Sequence, residues 1–144
     1  MEEASGDIGA FLKCVDLFQD LDDTEVAALI VKAKEERHED KSFIFKEREM
    51  GDAMFVVLDG TVKIVKMVAG SKFKTLIAMG VGDFFGEMAL LSDEPRSATI
   101  IAEEDTDCFV LFKGHFKHLV ERNSAFAQLV ERAREKRSFE IHKV

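Results

Sequence analysis

The sequence predicts a mainly β domain, a sandwich or barrel of short strands with helices at both ends. Between about residues 42 and 112, short runs rich in β-branched and aromatic residues alternate with glycine-containing turns. On either side of this segment, apolar residues recur at the three- and four-residue spacing of an amphipathic helix. The length of 144 residues suits one core, so we place a single domain over 1–144.

Helices are predicted over about 8–34. A first short helix follows from the spacing of Ile8, Phe11, Leu12 and Val15. A second begins at Asp22-Asp23, because an aspartate accepts hydrogen bonds from the free N–H groups of a first turn. We expect this helix to run to Lys34. The charged segment Glu35 to Lys41 then predicts a turn.

The β-rich segment is followed by helices over about 113–141. The strands are predicted at 42–45, 54–58, 61–66, 73–79, 98–102 and 108–112. Asp59-Gly60 lies between two of them and is a strong hairpin signal. Asn123-Ser124 interrupts the C-terminal helical pattern and is expected to cap the last helix.

Composition argues against several classes of function. No apolar run is long enough to span a bilayer, so we expect no membrane association. Cys14 and Cys108 form neither a disulfide framework nor a zinc spacing, which favours reduced thiols and a cytoplasmic location. The net charge is −8. Residues 113–144 hold eight of the Lys/Arg, so residues 1–112 are strongly acidic. An acidic body does not attract a phosphate backbone, so we expect no direct nucleic-acid binding.

The most informative stretch is residues 84–99, which read FFGEMALLSDEPRSAT. Gly86 permits close approach of the backbone, and the short helix-favouring run after it offers unpaired N–H groups to an anion. Arg96 adds a permanent charge with a forked donor set suited to phosphate oxygens, and Ser97 adds a hydroxyl. One arginine suits a single, singly charged phosphate better than a triphosphate.

Glu87 is a carboxylate beside this predicted anion site. Its presence is explained if it accepts a hydrogen bond from a sugar hydroxyl of the same ligand, as carboxylates do on ribose in dinucleotide folds. An anion site with a ribose acceptor indicates a nucleotide. The alternative is a structural ion pair between Glu87 and Arg96 that holds the turn.

The pattern F-G-E-x-A-L, a short spacer and P-R-x-A-T are unbroken in residues 85–99. This stretch closely resembles the phosphate-binding cassette of the cyclic-nucleotide-binding domain family, found in catabolite activator proteins, regulatory subunits of cyclic-AMP-dependent kinase and cyclic-nucleotide-gated channels. The resemblance covers about Leu17 to about Arg137. Upstream it includes core aromatics and turn glycines at Phe45, Gly51-Asp52, Phe55, Gly60 and Gly82-Asp83.

The resemblance implies an eight-stranded jelly-roll barrel or sandwich flanked by helices. It implies that Arg96 binds the cyclic phosphate, that Glu87 binds the ribose 2′-hydroxyl, and that the last helix forms a lid over the base. The ligand-binding residues implied are Ile64, Leu76 and Met79 on strands, Gly86, Glu87, Met88, Ala89, Arg96 and Ser97 in the cassette, and Arg137 and Ile141 on the lid.

Two positions qualify the resemblance. Ser97 lies where threonine favours cyclic GMP, whereas alanine or serine usually goes with cyclic AMP, so cAMP is the favoured ligand over cGMP. Arg48 lies where family members often carry glycine. We expect its turn to be remote from the pocket and discount it for binding.

We therefore expect a regulatory module that senses cAMP and signals to a protein effector by movement of the last helix. No cofactor is expected, and no nucleophile–base pair or metal set accompanies the cassette, which argues against an enzyme. His115 and His118 lack an evident third ligand, so we predict no metal site. The alternative is an interaction or dimerisation scaffold that has lost nucleotide binding. The last helix lacks sustained heptads, which leaves only weak homodimerisation through it open.

Overall fold

The computed structural model describes residues 3–68, 70 and 72–142, with side chains described between residues 8 and 137 of these ranges. A single turn of 3-10 helix spans Asp16–Phe18. The strands and α-helices are α1 Glu3–Cys14, α2 Asp23–Lys32, β1 Lys34–His38, β2 Phe43–Phe45, β3 Ala53–Asp59, β4 Val62–Met67, β5 Phe73–Met79, β6 Phe84–Phe85, α3 Glu87–Ser92, β7 Thr99–Ala102, β8 Thr106–Phe112, α4 Lys113–Arg122 and α5 Ser124–His142.

The strands form two antiparallel four-stranded sheets, in the orders β1-β8-β3-β6 and β2-β7-β4-β5. This is the double Greek-key arrangement of a jelly roll, as expected. The sheets do not close into a barrel, because β1, β6, β2 and β5 are edge strands with one described neighbour each. The fold is therefore a sandwich, and the barrel alternative was wrong.

The core has two parts that share the sheet β1-β8-β3-β6. Phe55 and Val57 of β3 pack between the two sheets, whereas Met54 and Val56 point to the other side and pack against the helices. Residues 53–57 are buried throughout because both faces of this sheet are covered. The result is three layers: helices, one sheet and the second sheet.

The helices are tied to the sandwich by caps and aromatic packing. Asp22 and Glu25 form a complete capping box at the start of α2. The Asn123 side chain accepts a hydrogen bond from the Phe126 N–H at 3.0 Å, which confirms the predicted cap of α5. Phe126 lies between Phe18 and Phe116, with ring centroids 6.2 and 5.9 Å away. The apolar residues at the start of α5 therefore pack into the core of this chain.

Two strands differ from the prediction. The charged segment after α2 is not a turn but strand β1, and α2 ends at Lys32 rather than Lys34. All of β1 pairs with β8, and Arg37 forms ion pairs with Asp105 and Asp107 at 3.2 and 3.1 Å. A charged edge strand carries no apolar alternation, so its sequence gives no strand signal. The two residues of β6 pair with β3 and are too few to show a period.

Other candidate features lie apart from the cassette. Cys14 is exposed and Cys108 is buried, and both thiols are free. Burial raises the pKa of the Cys108 thiol to about 12. Within the described residues, no group of three or more potential ligands is placed to hold a metal ion. None of the helices in the same ranges is long and apolar enough to cross a membrane.

Candidate functional site

The cassette residues surround a small cavity between the ends of β2, β4, β6 and β7, helix α3 and helix α5. Its volume is about 30 Å³, the space of roughly one water molecule. The cavity is lined by Phe45, Ile64, Phe85, Gly86, Glu87, Met88, Ala89, Arg96, Ser97, Ala98, Ile100 and Arg137.

Arg96 is the buried cation of this site, with 6% of its surface exposed. Its Nη1 donates to the carbonyl oxygen of Gly86 at 2.7 Å, and its Nη2 donates to that of Ala53 at 2.8 Å. The guanidinium carbon lies 3.9 Å from the centre of the Phe45 ring, a cation–π contact. In the part of the chain that the structure describes, no carboxylate lies within ion-pairing distance of it. Burial lowers its pKa to about 10, so it stays charged at neutral pH.

Glycines make room for this guanidinium. A Cβ at Gly51 would lie 2.5 Å from the Arg96 guanidinium carbon, so the guanidinium would have to move from its present position. A Cβ at Gly86 would lie 3.1 Å from Nη1, and Gly86 has a φ of +91° in the left-handed region. Both glycines therefore leave room for the guanidinium where it lies, and Gly86 also suits its left-handed backbone.

The turn at Arg48 holds the Arg96 backbone. The Arg48 N–H donates to the Arg96 carbonyl at 2.8 Å, and the Arg96 N–H donates to the Glu49 carbonyl at 2.7 Å. The expectation that this turn is remote from the pocket was therefore wrong. Arg48 has a φ of +79°, a region that costs an L-residue energy and that glycine adopts freely. This explains why glycine suits the position.

Glu87 is completely buried. Its Oε1 accepts a hydrogen bond from Arg137 Nη1, so its ion pair is with Arg137 and not with Arg96. Its Oε2 has no hydrogen-bond partner among the described residues. Desolvation raises the pKa of Glu87, and the charge of Arg137 only partly opposes this rise.

Arg137 brings helix α5 over the cavity. Its guanidinium lies 4.9 Å from the centre of the Phe84 ring, and its Nη2 lies 3.7 Å from the Met79 sulfur. Only 13% of its side chain is exposed. The predicted lid residue Arg137 thus reaches the site, whereas the side chain of Ile141, also predicted there, lies outside the described residues.

Lys66 contacts the C-terminal end of the cassette, and this contact was not predicted from the sequence. Its Nζ donates to the Ser97 carbonyl at 3.1 Å and forms an ion pair with Glu47 at 3.2 Å. The Glu47 N–H in turn donates to the Thr99 hydroxyl at 2.9 Å. The Ser97 hydroxyl itself lies 3.7 Å from the Met88 sulfur, inside the site.

The structure brings together most of the predicted residues. Those that line the cavity are Ile64, Gly86, Glu87, Met88, Ala89, Arg96, Ser97 and Arg137. Leu76 and Met79 do not line it, and pack in the core between the sheets beside it. Phe45, Phe85, Ala98 and Ile100 line it without having been predicted as ligand contacts. The match of Phe45 to the family's core aromatics was a usable signal for the first of these.

Residues 35–123 match the family model of the cyclic nucleotide-binding domain. The chain belongs to the cyclic nucleotide-binding domain family. The unbroken cassette and the buried Arg96 and Glu87 lie within the matched residues. Domains of this family are regulatory nucleotide-binding modules.

Relatives of known function differ in the nucleotide that their names mention. The chain is 37% identical over 79 residues to the cyclic AMP receptor protein of Thermus thermophilus, covering 55% of this chain and 37% of that one. It is 35% identical over 112 residues to human cGMP-dependent protein kinase 2, covering 76% and 15%. The regulatory domain of Toxoplasma gondii PKA with cAMP matches with a TM-score of 0.82 and 27% identity, over 93% of this chain and 51% of that one. The chain thus spans about half or less of each.

Replacing Arg48 tests the strained turn. We expect Arg48→Gly to be more stable than both the wild type and Arg48→Ala by roughly 1 kcal/mol, because glycine relieves the left-handed strain and gives back part of the gain as unfolded-state entropy. Urea unfolding followed by circular dichroism measures the difference. Arg48→Ala is the control for loss of the side chain, and an alanine variant more stable than the glycine variant would contradict the explanation.

The pKa of Glu87 gives a pH dependence with a definite sign. Because the folded pKa is raised, the folded protein binds the proton more tightly than the unfolded chain. The stability of the wild type relative to Glu87→Gln should therefore fall as the pH rises from about 4.5, the ordinary glutamate value, through the raised pKa. Unfolding free energies of both proteins between pH 4.5 and 8 give this difference.

Glu94→Gln is the matched control, since Glu94 is exposed in the same segment. A wild type that gains stability relative to Glu87→Gln with rising pH would show that the Arg137 ion pair, not desolvation, dominates.

Proposed function

We propose that this regulatory domain binds cAMP in the cavity between Arg96, Glu87 and α5, and signals through movement of α5. The observation that carries the proposal is Arg96. It is a buried, charged guanidinium that lines a cavity and is satisfied by backbone carbonyls and an aromatic ring instead of a carboxylate. Asp52, Glu87 and Glu49 act on its charge without a direct ion pair among the described residues, so further N–H groups of its fork are available to a phosphate oxygen.

Glu87 suits the ribose. A buried carboxylate oxygen without a partner is costly, and a sugar hydroxyl is a neutral donor that satisfies it without a second charge. Glu87 and Arg96 lie in different environments, so they suit different groups of one ligand. Arg96 suits the phosphate, and Glu87 suits a hydroxyl. We assign Glu87 Oε2 to the ribose 2′-hydroxyl and Arg96 to the cyclic phosphate.

The choice of cAMP over cGMP rests on Ser97. The family resemblance associates threonine with cyclic GMP at this position, and this chain has serine. In the structure the Ser97 hydroxyl contacts the Met88 sulfur, a weak acceptor that a phosphate oxygen readily replaces. Among the relatives, the receptor protein and the kinase regulatory domain carry cAMP in their names, while the protein kinase carries cGMP.

The small cavity supports a moving helix. Sites for drug-sized ligands occupy about 300–1,000 Å³, far more than the roughly 30 Å³ present. Arg137 lines this small cavity and pairs with Glu87, so we expect a nucleotide to displace its side chain. Displacing Arg137 shifts the helix that carries it, and a protein effector responds to that shift. The coupling can be no larger than the difference in the free energy of ligand binding between the two helix positions.

Calorimetry with cAMP and cGMP tests binding. We expect heat with both, with tighter binding of cAMP, and Arg96→Lys should weaken cAMP binding by about 10- to 150-fold because it loses a charge-assisted forked contact. Arg134→Lys is the matched control on α5, since the Arg134 side chain pairs with Glu131 and does not line the cavity. Circular dichroism verifies folding. If the wild type gives no heat with either nucleotide at millimolar concentration, the scaffold alternative replaces the sensor.

Distances between spin labels test the helix movement separately. In a Cys14→Ser background, labels at Glu35→Cys on β1 and Arg132→Cys on α5 should give a distance distribution that shifts when cAMP is added. Labels at Glu35→Cys and Asp59→Cys lie on the same sheet and should show no shift. An unchanged α5 distance with saturating nucleotide would overturn the signalling step and leave the binding proposal standing.

A further inference from the structure

A second surface of the molecule carries exposed apolar side chains. Phe43, Met67, Val68 and Phe73, which lie together at one end of the sheet β2-β7-β4-β5, are each 39–50% exposed. The Phe43 and Phe73 ring centroids are 6.2 Å apart. A groove of about 330 Å³ runs over this surface. It is lined by Phe43, Lys46, Glu47, Met67, Phe73 and Thr99, and these residues are separate from the nucleotide cavity.

The groove borders an open sheet edge. In the described structure β5 pairs with β4 alone, so the backbone groups along its outer edge have no strand beside them. The first half of β5, Phe73 to Thr75, is exposed, while Met79 at its other end is buried. A strand edge of this kind accepts an extended peptide by forming main-chain hydrogen bonds.

Lysines surround this edge on a protein whose net charge is −8. Lys72 and Lys74 are exposed on either side of Phe73. Successive residues of a strand point to opposite faces, so Phe73 lies on the groove side and Lys74 on the other. On the groove side, Lys46 Nζ lies 4.9 Å from the centre of the Phe43 ring. The one carboxylate that lines the groove, Glu47, is already paired with Lys66.

We propose that β5 and this groove bind an extended segment of a partner protein that adds as a fifth strand and alternates large apolar residues with carboxylates. The apolar side chains fill the groove beside Phe73, and the carboxylates on the opposite face meet Lys74. The alternation of the segment mirrors that of β5. A second copy of this chain is disfavoured, because pairing two β5 edges brings lysines of both copies together.

An unbiased peptide selection tests the chemistry of the occupant. Random 12-residue peptides are displayed and selected on the wild type, with removal of those that also bind the variant Phe73→Ser/Lys74→Glu. We expect enriched peptides that alternate acidic and large apolar residues. A synthetic copy of the most enriched peptide should lose at least tenfold in affinity for the variant, and its Glu→Lys or Asp→Lys version should lose as much for the wild type.

Two further measurements complete the test. Hydrogen exchange should show peptide-dependent protection of the β5 amides. The double variant Val31→Ser/Arg122→Glu is the matched control, since it removes one exposed apolar residue and one exposed charge elsewhere and should bind the peptide as the wild type does. Thermal unfolding verifies that the variants fold.

Several outcomes would overturn the proposal. The selected peptides could lack carboxylates, or their enrichment could be independent of Phe73 and Lys74. Hydrogen exchange could also show that the peptide protects other amides and not those of β5. Self-association of the wild type that the variant abolishes, seen by light scattering, would assign the surface to a second copy instead. Binding to phosphatidylserine vesicles that the variant abolishes, without peptide enrichment, would assign it to an anionic membrane.

Discussion

The site depends on one buried guanidinium that is held by carbonyl oxygens. Because Gly86 and Ala53 accept hydrogen bonds from Arg96, its geometry is fixed without a direct ion pair among the described residues, and the charges of Asp52, Glu87 and Glu49 act on it only from a longer distance. A carboxylate in their place would satisfy the charge and remove the reason to bind an anion. The glycine at 51, the Phe45 ring and the turn at Arg48 are all consequences of placing a cation there. Gly51 makes room for the Arg96 guanidinium, the Phe45 ring packs against it, and the turn at Arg48 holds the Arg96 backbone.

Glu87 and Arg137 add a constraint of the opposite kind. Glu87 lies in a desolvated position that its single ion pair only partly compensates. In the Glu87–Arg137 contact beside the cavity, Glu87 Oε2 therefore has no hydrogen-bond partner among the described residues. On the proposed function, a ribose hydroxyl on Glu87 Oε2 improves the environment of the carboxylate, and a nucleotide that also displaces Arg137 from Oε1 would remove the contact through which Arg137 holds the helix. The Glu87–Arg137 ion pair would then link occupancy of the site to the position of α5.

The parts of the fold that sequence could predict are those determined by local chemistry. The cassette is contiguous, so Gly86, Glu87 and Arg96 were identified from their types and spacing alone. The caps at Asp22 and Asn123 are local for the same reason. Strand β1 was missed because its charged residues are ordered by β8, more than 60 residues away. The role of Arg48 was missed because its partner, Arg96, becomes a neighbour only in the folded chain.

The two surfaces of this domain differ in how they are attached, and this determines which of them responds to a ligand. Strand β5 reaches from Phe73 at the groove to Met79 beside Arg137, but it pairs with β4 in a ladder from end to end apart from one register shift between Thr75 and Ile77. Near the cavity α5 is held by side-chain contacts of Arg137 with Glu87, Phe84 and Met79, which the proposed nucleotide would replace. The ladder stays intact when Arg137 moves, so docking on β5 is expected to be independent of nucleotide. On the two proposals together, the helix would carry the signal and the sheet edge would provide a fixed attachment for the protein that receives it.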